Sequence, residues 1–258
     1  MPPSMSIVIP VLNEENQITD ILDTARSFLE RRGGDWEIIL VDNASTDRTR
    51  ERAEPFLDGN RVRYLCNDVN RGKGYSIRRG MLEASGDLRL MCDADCSPSL
   101  SSLPRLEKAL ADAEVAVGSR LAKGALVSRQ QPLRRRIVGL GFLILTRLMV
   151  GRLTHDVYCG FKLWRGEAAE AVFERVQVDG WVFDAEALAV ALRLGYRVRE
   201  VGIAWTNRPS SRLSIPDVLL TAVRELNVAR RTQRQAASAR RAGEQNLAPS
   251  AELLSIED

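Results

Sequence analysis

Asp93 and Asp95 stand two residues apart, just after the short apolar run 88–91. Two carboxylates at that spacing can share a hard divalent cation, which prefers oxygen ligands. Mg²⁺ or Mn²⁺ suits the pair, because both also coordinate a diphosphate. Taken alone, such a pair is often an ordinary acidic turn. Its weight comes from position, since Asp42 closes another apolar run and Asn13-Glu14 follow a third. Acidic and amide groups then share one rim, as a nucleotide and metal site requires. Asn70-Arg-Gly-Lys-Gly74 leads into a helical stretch. Its glycines would let backbone N–H groups approach an anion at a helix N-terminus. The spacing is not that of a Walker loop, and a plain helix entry explains the turn equally well.

His155 is the one histidine, which excludes a His-rich metal site and any two-histidine mechanism. Its neighbour Asp156 is the better candidate, because adjacent side chains rarely face each other. Cys92 and Cys96 flank the carboxylates without further thiols or histidines at ligand spacing, and read as buried thiols. Tyr75, Trp181 and Trp205 read first as core, although Trp181 lies in a polar stretch.

The elements that must position these groups alternate regularly. Strands are expected at 5–10, 36–41, 62–65, 88–91 and 115–117, separated by helices at 14–32, 45–56, 74–84 and 103–111, with Ser45 as a helix cap. This is the pattern of βαβ units and a mostly parallel sheet, whose ligands sit at the carboxyl ends of the strands. The second half is less regular. Arg129, Arg134, Arg135 and Arg136 form a basic cluster before a glycine-punctuated apolar helix, 137–150. That combination fits a helix lying in a membrane interface with basic residues on anionic head groups, or a helix packed on the sheet with a solvated basic corner. Helices at 185–194 and 217–231, a strand at 198–205 and a disordered tail at 232–258 complete the expectation.

The chain has 258 residues, 45% hydrophobic and 28% charged, so it folds and is long enough for one large domain or two small ones. A net charge of +3 is weak for a nucleic-acid binder, and nucleic acid is not expected as a partner. Four unpaired-looking cysteines and no charged-then-apolar leader point to a reduced, cytoplasmic setting. The apolar stretch 137–146 falls short of the roughly 20 residues a membrane span requires.

Together, Ile7-Val-Ile-Pro-Val-Leu-Asn-Glu14, Val41-Asp-Asn-Ala-Ser-Thr-Asp47, Asn70-Arg-Gly-Lys-Gly74, Asp93-Ala-Asp95 and Gly118-Ser-Arg120 resemble the family 2 glycosyltransferases, which have the GT-A fold. Asp156-Val-Tyr-Cys-Gly-Phe-Lys-Leu163, Trp181-Val-Phe-Asp-Ala-Glu186 and Glu200-Val201 with Trp205 are similar to the dolichyl-phosphate sugar synthases, the β-glucosyl branch first and the mannosyl branch next. The resemblance implies an α/β GT-A domain over 1–231, with a nucleotide-binding part (5–120), an acceptor part (121–231) and amphipathic interfacial helices near 132–150. It implies inverting, metal-dependent transfer of a hexose, glucose first, from a nucleotide sugar such as UDP-glucose to a polyprenyl phosphate. GDP-mannose as donor, or a soluble saccharide or protein acceptor, is the alternative. Residue by residue, Pro10, Asn13, Glu14, Asp42, Lys73 and Arg212 would serve the donor. Asp93 and Asp95 would hold Mg²⁺ or Mn²⁺, Arg120 would reach phosphate and Asp156 would orient a substrate. Arg134, Arg135, Lys162, Trp181 and Glu186 would form the acceptor side. The implied place is peripheral, on the cytoplasmic face of a membrane.

Overall fold

The computed structural model describes residues 3–94, 100–129, 133–206 and 215–247. The first half alternates as expected: β1 (Met5–Val11), α1 (Ile18–Arg32), β2 (Trp36–Asp42), α2 (Thr49–Ala53), β3 (Val62–Cys66), α3 (Lys73–Glu83), β4 (Leu88–Cys92), α4 (Leu103–Ala109) and β5 (Val115–Ser119). Then come β6 (Leu126–Arg129), α5 (Leu133–Met149), β7 (Phe161–Arg165), α6 (Gly166–Phe173), α7 (Phe183–Leu194), β8 (Val198–Gly202), β9 (Ala204–Thr206) and α8 (Ile215–Leu247).

One seven-stranded sheet runs β3-β2-β1-β4-β7-β5-β8, and β6 pairs with β9 beside it. All pairings in the large sheet are parallel except those of β7, which is antiparallel to both β4 and β5. Because successive strand side chains face opposite ways, the sheet carries two cores. Ile7 and Ile9 meet Ile18, Leu22, Ala25 and Leu29 of α1 on one face, while Val8 meets Ile77 and Met81 of α3 on the other. Full burial of each Leu or Ile contributes roughly 1.5–3 kcal/mol relative to exposure. Pro10 has no N–H, and it lies past Val8, where the β1–β4 ladder ends, so the missing donor costs that ladder nothing.

The structure departs from expectation in four places. The helix expected from Ser45 begins at Thr49, because Ser45 turns its hydroxyl onto Asp42 instead of capping. The strand expected over 198–205 is two strands, which part near Ile203 to join different sheets. The strand β7 and helix α6 were absent from the sequence pattern, since the fully buried Lys162 interrupts the apolar run. The stretch 232–247, expected to be disordered, continues α8, with Thr232, Gln233 and Ala236 buried against the body. Gln233 Nε2 donates to the Val150 carbonyl at 3.1 Å, which ties α8 to the end of α5. Residues 248–258 lie outside the described part.

Candidate active site

The rim expected to bind the donor is a mesh of side chain to backbone hydrogen bonds at the carboxyl ends of β1, β2 and β3. Asn13 adopts φ 54°, a region that asparagine tolerates better than most residues. Its N–H donates to Ser45 Oγ at 2.8 Å, and its Oδ1 accepts the Thr46 N–H at 2.8 Å. Glu14 N–H donates to Thr49 Oγ1 at 2.7 Å. Asp42 Oδ1 accepts the Ser45 N–H at 3.0 Å and its hydroxyl at 2.5 Å, while Oδ2 accepts the Tyr64 hydroxyl at 2.7 Å. Burial first, then the Asp42 carboxylate, push the Tyr64 phenol far above its ordinary value, so it stays a donor. Pro10, Asn13 and Glu14 are half-buried, whereas Asp42 is 2% exposed. Asp42 thus ties Ser45 and Tyr64 together at this rim.

Asn43, which the sequence places with Asp42 at a strand end, and Asn67, which sequence reasoning did not single out, extend the mesh. Asn43 Oδ1 accepts from Asn67 Nδ2 at 3.1 Å and from the Arg71 N–H at 3.0 Å, and its Nδ2 donates to Asn70 Oδ1 at 2.7 Å. These bonds fix the Asn70–Gly74 turn, whose glycines also permit a close approach of backbone. A Cβ on Gly72 would lie 2.4 Å from the Asp179 carbonyl oxygen, and one on Gly74 would lie 2.4 Å from that of Val178. The Tyr75 N–H already donates to the Asp179 carbonyl at 3.1 Å. The glycines thus let the 178–180 loop of the second half of the chain pack directly on the turn before α3.

Asp93 follows β4, and its N–H donates to the Gly160 carbonyl at 2.9 Å. A Cβ on Gly160 would stand 1.9 Å from Asp93 Oδ2, so glycine there is what leaves room for the carboxylate. Lys73 Nζ lies 2.7 Å from Oδ2 and 2.7 Å from Oδ1. The same ammonium is 5.2 Å from the centre of the Trp181 ring and 5.7 Å from that of Phe183. Trp181 is 38% exposed and belongs to this site, not to the core. Among the described residues no group of three or more His, Cys, Asp or Glu side chains is placed to hold a metal. Asp95 and Arg212 lie outside the described residues.

After β5, Arg120 and Asp156 form a two-pronged pair, Nε to Oδ2 at 2.8 Å and Nη2 to Oδ1 at 2.6 Å, with the Arg120 N–H also donating to Oδ2 at 2.8 Å. Arg120 lies over the Trp205 ring, 5.3 Å from its centre. Glu200 of β8 sets the approach: it accepts the N–H groups of His155 and Asp156, both at 3.0 Å, and contacts His155 Nδ1 at 2.8 Å. Burial pushes the Asp156 carboxyl up, but the hydrogen bonds and charge of Arg120 hold it below the ordinary carboxylate range. Asp156 is thus an ionised strut for Arg120.

Lys162 and Glu186 were expected to touch the acceptor, and both are buried structural groups. Lys162 Nζ pairs with Asp184 and donates to the Cys159 carbonyl at 2.6 Å. Glu186 Oε2 accepts the N–H groups of Gln177 and Val178 at 3.0 and 2.8 Å. Burial pushes the carboxyls of both Asp184 and Glu186 above their ordinary values. Arg134 and Arg135 fall in the first turn of α5, where only the backbone is described.

The charged groups of the two halves form one series. Asp156 feels the charges of Arg120 and Lys162, while Asp184 feels those of Lys162, Lys73 and Asp93. The series Arg120, Asp156, Lys162, Asp184, Lys73, Asp93 alternates in sign. Cys159 sits at its middle, fully buried, and its thiol is pushed up to about 12, first by burial. Asp184, Glu200 and Gly160 were missed as site residues; each lay inside a stretch that carried the resemblance, but its partner is distant in sequence.

The family model described as glycosyl transferase family 2 matches residues 6–173. The human dolichyl-phosphate beta-glucosyltransferase is 33% identical over 226 residues, which cover 81% of this chain and 69% of the human protein. A Trichomonas vaginalis dolichyl-phosphate beta-glucosyltransferase is 33% identical over 87% of this chain and 70% of its own, and the Saccharomyces cerevisiae one is 32% identical over 82% and 69%. Among solved structures, glucosyl-3-phosphoglycerate synthase from Mycobacterium tuberculosis, in complex with Mn²⁺, UDP-glucose and phosphoglyceric acid, superposes with a TM-score of 0.66. It is 20% identical and covers 90% of this chain and 80% of its own, a likeness of GT-A fold. By the family model over residues 6–173 and by these relatives, the chain belongs to glycosyl transferase family 2 and is a glycosyltransferase.

Proposed function

We propose that the protein transfers glucose from UDP-glucose to a polyprenyl phosphate of the dolichyl type, with inversion at the sugar and with Mg²⁺ or Mn²⁺ as cofactor. One observation carries this reading: named dolichyl-phosphate beta-glucosyltransferases match at 32–33% identity across 81% or more of the chain, donor and acceptor halves together. The nucleotide-binding part is 5–120 and the acceptor part 121–231, with α8 continuing beyond it.

The site fits a hard cation. Asp93 offers only oxygen, is fixed by Gly160, and already faces a positive group in Lys73. Asp93 would hold the ion with Asp95 and the donor diphosphate. When bound, the metal neutralises the departing nucleoside diphosphate. The chain's own residues do the rest. Pro10, Asn13 and Glu14 bound the base and ribose, held by Asp42, Ser45 and Thr49. Arg120, its plane fixed by Asp156 and Trp205, supplies a positive charge of set direction for phosphate. Trp181 offers a ring beside Lys73 for the sugar or acceptor. Arg212 would close over the diphosphate.

A phosphate monoester has a second pKa of roughly 6, so the nucleophile arrives as an anion. Its oxygen forms the bond to the anomeric carbon as the bond to the diphosphate oxygen breaks, with no proton to remove. A carboxylate as firmly paired as Asp156 is a poor base, and this chemistry asks for none.

The acceptor's lipid is supported by α5. Its inner face is anchored where Thr146 Oγ1 and the Tyr158 hydroxyl lie 2.7 Å apart, with Phe142 stacked on Tyr158. On its outer face Leu140, Ile144 and Leu148 are 58%, 48% and 79% exposed, one helical turn apart, with Arg147 also exposed. Such a face suits the interface of a membrane, which would place the protein peripherally, on the cytoplasmic side. Among the described residues no helix is long and apolar enough to cross a membrane.

The test is a transfer assay with a short polyprenyl phosphate, Mg²⁺ or Mn²⁺, and a panel of UDP- and GDP-sugars. Lipid-linked glucose formed from UDP-glucose and lost with EDTA is the expected result. Transfer from GDP-mannose would move the sugar. Transfer only to phosphoglycerate or a free saccharide would overturn the acceptor.

A further inference from the structure

Lys73 occupies the place at Asp93 where a cation is wanted. Its ammonium is within 2.7 Å of both carboxylate oxygens. Gly160 backs the carboxylate so closely that a Cβ would reach 1.9 Å from Oδ2, so Asp93 cannot retreat on that side. Trp181 and Phe183 present ring faces to the ammonium at 5.2 and 5.7 Å, which favours a cation there. The alternating series ends in the Lys73–Asp93 pair, so a positive group at this point also balances Asp184.

A divalent ion and an ammonium cannot both sit against one carboxylate without strong repulsion. We infer that Lys73 is a placeholder that makes metal binding at Asp93 conditional on the donor diphosphate. In the donor-free chain the ammonium competes with the ion for the same oxygens. The diphosphate supplies oxygens for the ion and negative charge for the displaced ammonium, so the two cations can then stand side by side. The lysine stem is anchored at the first residue of α3, in the turn braced by Asn43 and Asn70, so only the side chain has to swing. Metal and nucleotide would therefore bind as a coupled pair. This inference rests on the reading that the metal is held by Asp93, and it adds an order to the binding events that the reading alone lacks.

The experiment is a Mn²⁺ titration of the full chain, with free Mn²⁺ read by electron paramagnetic resonance, with and without UDP. No turnover is involved. In the wild type, UDP is expected to tighten Mn²⁺ binding by about 30-fold or more. In Lys73→Gln, Mn²⁺ without UDP is expected to bind about tenfold tighter than in the wild type, and the gain from UDP to shrink to about threefold. Lys73→Met, which keeps an apolar stem against Trp181 and Phe183, is the second variant should the first not fold. Lys73→Arg keeps the charge and is expected to keep the wild-type pattern. Equal Mn²⁺ affinity in wild type and Lys73→Gln or Lys73→Met without UDP overturns the inference and leaves the metal reading standing. If wild type and Asp93→Asn bind Mn²⁺ alike even with UDP, the metal reading itself falls, and the inference with it.

Discussion

The half proposed to bind the donor and the half proposed to bind the acceptor hold their polar groups by different means. On the donor rim, Asn13, Asp42, Asn43, Ser45 and Thr49 are short polar side chains that bond to backbone N–H groups and to one another. In the half proposed for the acceptor, Arg120–Asp156 and Lys162–Asp184 are charged pairs with buried carboxylates, and Glu200 accepts the His155 N–H. Cutting a neutral member of such a mesh, such as Asn43, Ser45 or Thr49, loses modest bonds of about 0.5–1.5 kcal/mol each. Buried charge pairs behave otherwise, because removing one partner strands the other charge away from water. The donor half should therefore tolerate single changes that the acceptor half does not.

The sharpest break lies at the seam of the two halves. Asp93→Asn keeps the shape of the side chain but removes the charge that Lys73 and the proposed metal need. Transfer is expected to fall about 10³-fold, consistent with several kcal/mol of charge stabilisation, while thermal unfolding stays close to wild type. Full activity in this variant would sink the metal assignment.

Next comes the buried pair of the acceptor half. Lys162→Met leaves Asp184 buried without its ion and should cost about 3 kcal/mol, lowering the unfolding midpoint by about 6–12 °C. Adding Asp184→Leu should recover most of the loss. Calorimetric scans of the single and double variants measure this. A single variant as stable as wild type would show that the two halves do not differ in the way described.

Gly160→Ala tests positioning alone. Its Cβ would meet Asp93 Oδ2, so the carboxylate must move. A displacement of this order costs about 10²-fold in rate, and the Mn²⁺ titration should weaken in step. Unchanged kinetics would mean that Asp93 has room to give.

Asp156→Asn sets the charge pair against pH. In the folded chain this carboxyl lies below its ordinary value, with Arg120 outweighing burial. A depressed folded value adds stability that is present above the unfolded value of about 3.9 and is lost as pH falls through the folded value. The variant lacks that contribution. The difference in stability should be about 2 kcal/mol at neutral pH and should close as pH drops below about 4. A difference that persists at low pH would mean that the loss is one of packing.

The smallest effect on the fold is expected at Leu148→Ser with Ile144→Ser on the outer face of α5. Stability should change by less than about 0.5 kcal/mol, yet binding to vesicles carrying anionic lipid should fall several-fold. Unchanged vesicle binding would remove the support that this face gives to a lipid acceptor.

The contrast also explains which parts were legible in the sequence. The alternation of β1 to β5 with α1 to α4 was readable because strand period, helix period and turn residues are local signals. Asp93, Asn13 and Glu14 followed from them, since a parallel sheet brings the ends of its strands to one rim. Local signals failed at β7, whose buried lysine looks like a surface residue until Asp184 is placed against it. They failed again along 232–247, where a polar composition hid the few residues, Thr232, Gln233 and Ala236, that α7 and α5 bury.

By itself the sequence determined the fold class, the family resemblance and the rim where the chemistry belongs, because these depend on periodicity and on short motifs. Only the tertiary structure decided what each group touches there. Asp42 meets Ser45 and Tyr64, Lys162 and Glu186 are buried, Gly72 and Gly74 pack on the 178–180 loop, and Lys73 is the cation at Asp93. Each role is set by a partner many residues away, and the energy of a charge or a hydrogen bond depends on distance and burial, which spacing along the chain does not contain.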